Sequence, residues 1–86
     1  MTYRLVVPPG IRRQIEKLPL ETQRALHGLF RDLRDDPDRH SGPYGLEDDG
    51  PVRMRSAGRA GAIAVVLVSD LTVTVTVVSV QTPLAD

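Results

Sequence analysis

The chain reads as an α+β domain with element order β-α-α-β-β-β, an antiparallel sheet of about four strands with an N-terminal helical pair packed on one face. Three observations predict it. Apolar residues recur at helical spacing between Ile11 and Leu33, they run or alternate as in strands from Val52 onward, and three prolines and three glycines separate the two regions within 37–51. At 86 residues the chain has room for one small core, so 1–86 is expected to form a single domain.

Each element has its own signal. Residues 3–7, Tyr-Arg-Leu-Val-Val, are rich in β-formers and read as a short strand. Pro8-Pro9-Gly10 interrupts it, and Ile11, Ile15 and Leu18 then fall on one side of a first helix, opposite Arg12, Arg13, Glu16 and Lys17. Pro19 ends that helix and is well placed to open the next. Leu26, Leu29, Phe30 and Leu33 recur at i, i+3, i+4, i+7 and form the buried stripe of the second helix. Glu21 near its start and Arg31 and Arg34 near its end suit the helix dipole, and Asp36-Pro37 disfavours its continuation. A surface loop is expected over 37–51. Val52-Arg53-Met54-Arg55 then alternates as in a half-buried strand, 56–61 reads as a connection, and Ala62–Val68 is apolar enough for a central strand. Ser69-Asp70 suits a hairpin turn, after which Val73, Val75 and Val77 alternate with Thr72, Thr74 and Thr76. The helices are expected to cover one face of the resulting meander, leaving the Thr and Arg side chains on the other, open to solvent or a partner.

Composition narrows the function classes. There is no Cys, which excludes a disulfide framework, a Cys-type zinc site and a thiol nucleophile. No apolar run approaches the ~20 residues of a membrane helix, and Met1-Thr2-Tyr3-Arg4 does not open a secretory leader, so a soluble cytoplasmic domain is expected. Eleven basic and eleven acidic side chains cancel, so the chain lacks the overall positive field that draws most nucleic-acid binders to their target. Any polyanion site must be local, and Arg53, Arg55 and Arg59 form the one tight basic group near the strands. Arg53 and Arg55, two residues apart on a strand, project from the same face.

The initial strand, the helical pair joined at Leu18-Pro19-Leu20-Glu21, the helix end at Asp36-Pro37, the loop to Gly45-Leu46 and the run from Val52 to Arg59 entering an apolar strand resemble the RelE/ParE superfamily of toxin–antitoxin toxins. The resemblance implies a type II toxin that inhibits translation by ribosome-dependent mRNA cleavage, a metal-independent endoribonuclease needing no cofactor. Attack of a 2′-hydroxyl on the adjacent phosphodiester needs a base, an acid and cations for the crowded phosphate. Arg53 and Arg55 stand where the family carries alternating basic residues, and Arg59 lies near its next one, which makes Arg53, Arg55 and Arg59 the candidate catalytic residues. The implied partners are a cognate small antitoxin, the ribosome and mRNA, with a homodimer as another way to cover an exposed strand edge.

The sequence also departs from that family. RNA-cleaving members carry further basic residues and a tyrosine after the last strand, whereas Val80-Gln81-Thr82-Pro83-Leu84-Ala85-Asp86 holds neither. Arginine keeps its proton near neutrality, so these guanidiniums suit phosphate stabilisation better than proton abstraction. A protein-binding module with the toxin fold and little catalysis is the alternative, and a ParE-like gyrase inhibitor is a third reading. Arg53 and Arg55 equally fit a solvated sheet face, and Arg59 a plain surface residue. His27 falls opposite the apolar stripe, His40 shares its loop with Asp38, Glu47-Asp48-Asp49 fits a solvated loop with pairing to and masking of Arg53 as the alternative, Tyr44 reads as a loop anchor and Tyr3 as strand packing.

Overall fold

Prolines set the helix boundaries in the computed structural model, which describes residues 2–45 and 50–82. Helix α1 spans Pro9–Glu16 and α2 spans Leu20–Asp35, each preceded by a proline, Pro8 or Pro19, at its N-cap. A first-turn proline costs nothing, because the N–H it lacks has no helical acceptor there. The tight link between the helices is closed by Gln23, whose side-chain amide donates to the Leu18 carbonyl at 2.8 Å and to that of Glu16 at 3.3 Å. Those are carbonyls that the end of α1 leaves without helical partners. Helix α2 stops as expected, with the Asp36 N–H still donating to the Asp32 carbonyl and Pro37 following.

Five strands form one sheet: β1 Arg4–Val6, β2 Gly42–Pro43, β3 Val52–Arg59, β4 Ala62–Ser69 and β5 Thr74–Gln81. Their order is β1-β5-β4-β3-β2, with β1 parallel to β5 and every other pair antiparallel. The α+β arrangement and the β3–β4–β5 meander are therefore as the sequence indicates. The sheet is mixed and has one strand more, because Gly42 and Pro43 leave the expected loop to pair with Ser56 and Arg55.

Two turns also differ from expectation. The connection assigned to 56–61 shrinks to Ala60-Gly61, since Ser56 to Arg59 continue the β3–β4 ladder. Ala60 at φ 53° and Gly61 at φ 82° are both left-handed, the signature of a two-residue type I′ hairpin. The turn placed at Ser69-Asp70 extends to Val73, and β5 starts at Thr74 rather than Thr72. Because an L-residue other than Asn or Asp is disfavoured at positive φ, Ala60→Asn will raise the unfolding free energy by about 0.5–1 kcal/mol. Urea denaturation measures this, and a variant no more stable than the parent would refute the turn's role.

Burial organises the rest. Leu26, Leu29, Phe30 and Leu33 of α2, with Ile15 of α1, pack on Ala57, Ala62, Ala64, Val66, Val68, Val75, Val77 and Val80. A register shift at Val65/Val66 changes the parity of β5, so Val80 points inward alongside Val75 and Val77. Gln14 adds a side-chain bond of 2.7 Å to the Val80 carbonyl and fixes α1 over β5. The opposite face carries Met54, Ser56, Ile63, Leu67 and Thr76, and the helices lie on the other side of the sheet. No helix among the described residues is long and apolar enough to cross a membrane.

Candidate functional site

Alternation along β3 places Arg53, Arg55, Ala57 and Arg59 on a single face, and Ala57 belongs to the core, so that face is the inner one. The expectation of arginines on the open outer face is thereby corrected. Val52 and Met54 point outward instead, and Arg53 and Arg55 are only 7% and 9% exposed. The reversal is permitted because carboxylate and hydroxyl acceptors wait on the inner side. A buried guanidinium without such partners would carry a large desolvation penalty.

Arg53 is fully engaged. Its Nε and Nη2 donate to Oδ1 and Oδ2 of Asp38 at 3.0 and 2.6 Å, a bidentate fork. Its Nη1 donates to Asp70 Oδ2 at 2.9 Å and to the Gly50 carbonyl at 3.1 Å. The Tyr3 hydroxyl completes the group with a 2.6 Å bond to Asp70 Oδ1. These contacts shift the titrations in consistent directions. Asp70 is held below the usual carboxylate range, by the Tyr3 hydrogen bond first and that of Arg53 second. The bond to Asp70 raises Tyr3, and Asp38 before Asp70 strengthens the hold of Arg53 on its proton against the opposing effect of burial.

Arg55 clasps the turn that follows α2. Its Nε donates to Ser41 Oγ at 2.9 Å, and its Nη2 to the carbonyls of Ser41 and Asp38 at 2.8 and 3.2 Å. Arg59 sits apart, over α2, where Nη2 donates to Asp32 Oδ2 at 2.6 Å. That bond holds Asp32 below its ordinary value. Gly28 makes the approach possible, since a Cβ there would lie 3.0 Å from Arg59 Nη1. Arg59 is also the most open of the three, with 39% of its side chain exposed. The fold thus brings all three arginines to one strand face, where Arg53 and Arg55 share Asp38, whose Oδ1 lies 3.5 Å from Arg55 Nε, and Arg59 is held separately by Asp32.

A second feature lies on the other side of α2. Leu5, Val7, Ile15 and Phe30 floor a groove of about 480 Å³ between β1 and the two helices. Arg12, Arg31, Arg34 and His27 stand around it, with Glu16 as the one acidic side chain among the described residues. His27 is exposed on α2, as its place opposite the apolar stripe suggests, yet it borders this groove. Tyr44 is half exposed, so its side chain is not a buried anchor. Among the described residues no group of three or more His, Asp or Glu side chains is placed to hold a metal ion. The masking of Arg53 proposed for Glu47-Asp48-Asp49 lies outside the described residues, as does the stretch 83–86.

Sequence reasoning missed Asp32, Asp38, Asp70 and Ser41 as partners, because they lie 14 to 27 residues from the arginines they meet. One signal was available. A glycine inside a helix, as at Gly28 in α2, costs about 1 kcal/mol against alanine and points to close approach by another group.

Comparison with known proteins gives the fold. No protein-family model matches the sequence, and no curated protein does. Among solved structures, the chain is similar to one from the RelBE2 toxin–antitoxin complex of Mycobacterium tuberculosis, at 25% identity and a TM-score of 0.78, covering 95% of this chain and 92% of that one. It is similar to one from the archaeal RelE–RelB complex of Pyrococcus horikoshii at 16% identity and a TM-score of 0.78, covering 95% and 96%. A third similar structure is the free E. coli toxin RelE with two arginines replaced by alanine, at 21% identity and a TM-score of 0.70, covering 95% and 84%. The chain has a RelE-like toxin fold.

Proposed function

We propose that this RelE-fold chain is the toxin-side member of a toxin–antitoxin pair and that its groove receives a small antitoxin protein. The carrying observation is the groove itself: an apolar floor rimmed, among the described residues, by three arginines and a single glutamate. Such a site fits an amphipathic segment with aliphatic side chains on one face and acidic ones on the other. Two of the similar structures are complexes with antitoxins, which supports the same reading. Affinity capture of the tagged chain, co-expressed with the product of its neighbouring open reading frame, tests it. A stable complex is expected, weakened at least tenfold by Arg31→Glu/Arg34→Glu. Failure to form a complex, or indifference to the double substitution, would reject the groove.

Ribosome-dependent mRNA cleavage is the second reading, and the row of Arg53, Arg55 and Arg59 on one strand face favours it. In it the three arginines grip and stabilise phosphate, with Arg59 meeting the ligand first because it is the most open. Expression of the chain alone should then arrest growth and produce A-site cleavage, and Arg59→Ala should relieve both. Normal growth with intact mRNA would remove the nuclease activity while leaving antitoxin binding to stand or fall on its own test.

A further inference from the structure

We infer that the outer face of the sheet is an interface between two copies of this chain, packed face to face across a two-fold axis. The face is built from alternate residues of β3, β4 and β5, on the side away from the helices. Along these three strands every outward residue is aliphatic, methionine, hydroxyl-bearing, glutamine or glycine, and none is charged. Charged residues make up 26% of the chain, so a face that met only water would carry several. The apolar members are open as well. Val52, Ile63 and Val78 are each about half exposed, Val78 being the unpaired residue at the register shift. A row of side chains crosses the middle of the face. It starts at Tyr44, whose N–H donates to the Met54 carbonyl, and runs through Met54, Leu67 and Thr76 to Val6.

Charge and area select a second copy as the occupant. In a two-fold interface a patch meets itself, so a charge near the axis would face its like. An uncharged face carries no such penalty, and it offers no ion pair to an acidic or basic partner. Among the described strand residues, the first charge met on this side is Arg4, on edge strand β1 and away from the central β4. Strands of eight residues at about 3.3 Å per residue, crossed by a row of five positions about 4.8 Å apart, give a patch of roughly 26 by 20 Å. Two copies then bury on the order of 1,000 Å², the lower end for a specific interface, which fits a reversible dimer rather than a permanent one. The groove beside α2 lies on the other side of the sheet, so this interface leaves it free and does not depend on antitoxin binding.

Sedimentation equilibrium of the purified full chain tests this. A dimer with a Kd of roughly 10 µM is expected for an interface of that size. Ile63→Glu puts a charge at a position open enough to hold it in the monomer, and it should weaken the dimer at least tenfold. Leu20→Glu makes the same change on the exposed first turn of α2 and should leave the dimer as in the parent. Circular dichroism checks that each variant folds, and Val78→Glu replaces Ile63→Glu if the latter does not. Four results would overturn the inference. They are a parent chain still monomeric at roughly fifty times that Kd, a dimer indifferent to Ile63→Glu, an equal loss from Leu20→Glu, and unfolding of both outer-face variants, which would make the face a structural support. A monomeric parent whose complex with the neighbouring reading frame's product is weakened by Ile63→Glu would overturn it too, and would give the face to that protein.

Discussion

Arg53→Ala will lower the unfolding free energy by about 2–4 kcal/mol, a loss unusual for an arginine on a small domain. The side chain is 6% exposed and ties β3 to the turn after α2, to the β4–β5 turn and to the Gly50 carbonyl. Truncation removes its apolar stem as well as its charge. The upper bound is set by Asp38 and Asp70, whose side chains are 52% and 45% exposed and regain water when the arginine leaves. Guanidinium chloride denaturation of the variant measures the loss. A value under 1 kcal/mol would mean that the network is only a solvated cluster.

The same network shapes the acid limb of stability. The folded-state value of Asp70 is depressed, so its contribution is complete above the unfolded value near pH 4 and disappears as pH falls through the folded one. Tyr3→Phe removes the largest single cause and should flatten that limb, and an acid limb unchanged from the parent, followed by denaturation at stepped pH, would refute the role of the Tyr3–Asp70 bond.

Leu33→Ala will cost about 3–4 kcal/mol, within the range measured for buried leucines elsewhere. Leu33 is completely buried in the α2 stripe that packs on the sheet, so deletion leaves a cavity that neighbouring elements fill only in part. For a domain of this size that is a large share of a total near 5–10 kcal/mol. Leu20, at 60% exposure on the first turn of the same helix, provides the contrast, and Leu20→Ala should change stability by no more than about 0.5 kcal/mol. Equal losses at the two positions would show that the sheet, rather than the helical stripe, bears the core.

Local chemistry made the helical pair legible. Pro19 and Asp36-Pro37 act within a few residues of the boundaries they set, and the apolar stripe from Leu26 to Leu33 repeats often enough to identify the buried face. The meander was legible for the same reason, as β-branched residues dominate from Ala62 to Val80. Gly42–Pro43 was not, because two residues acquire strand geometry only from the partner they meet. Ser56-Ala57-Gly58 looks like a connection in isolation, and it is the register with β4 that holds it extended.

What the sequence determined by itself was periodicity: which residues share a face, where helices stop, and that Arg53 and Arg55 stand on the same side of their strand. Which side that is was decided only by the tertiary structure. Period-two alternation gives parity without direction, and an inward arginine is stable only if acceptors from distant segments meet it there. Asp38 and Asp70 supply them, and their convergence on Arg53 is a property of the folded chain alone.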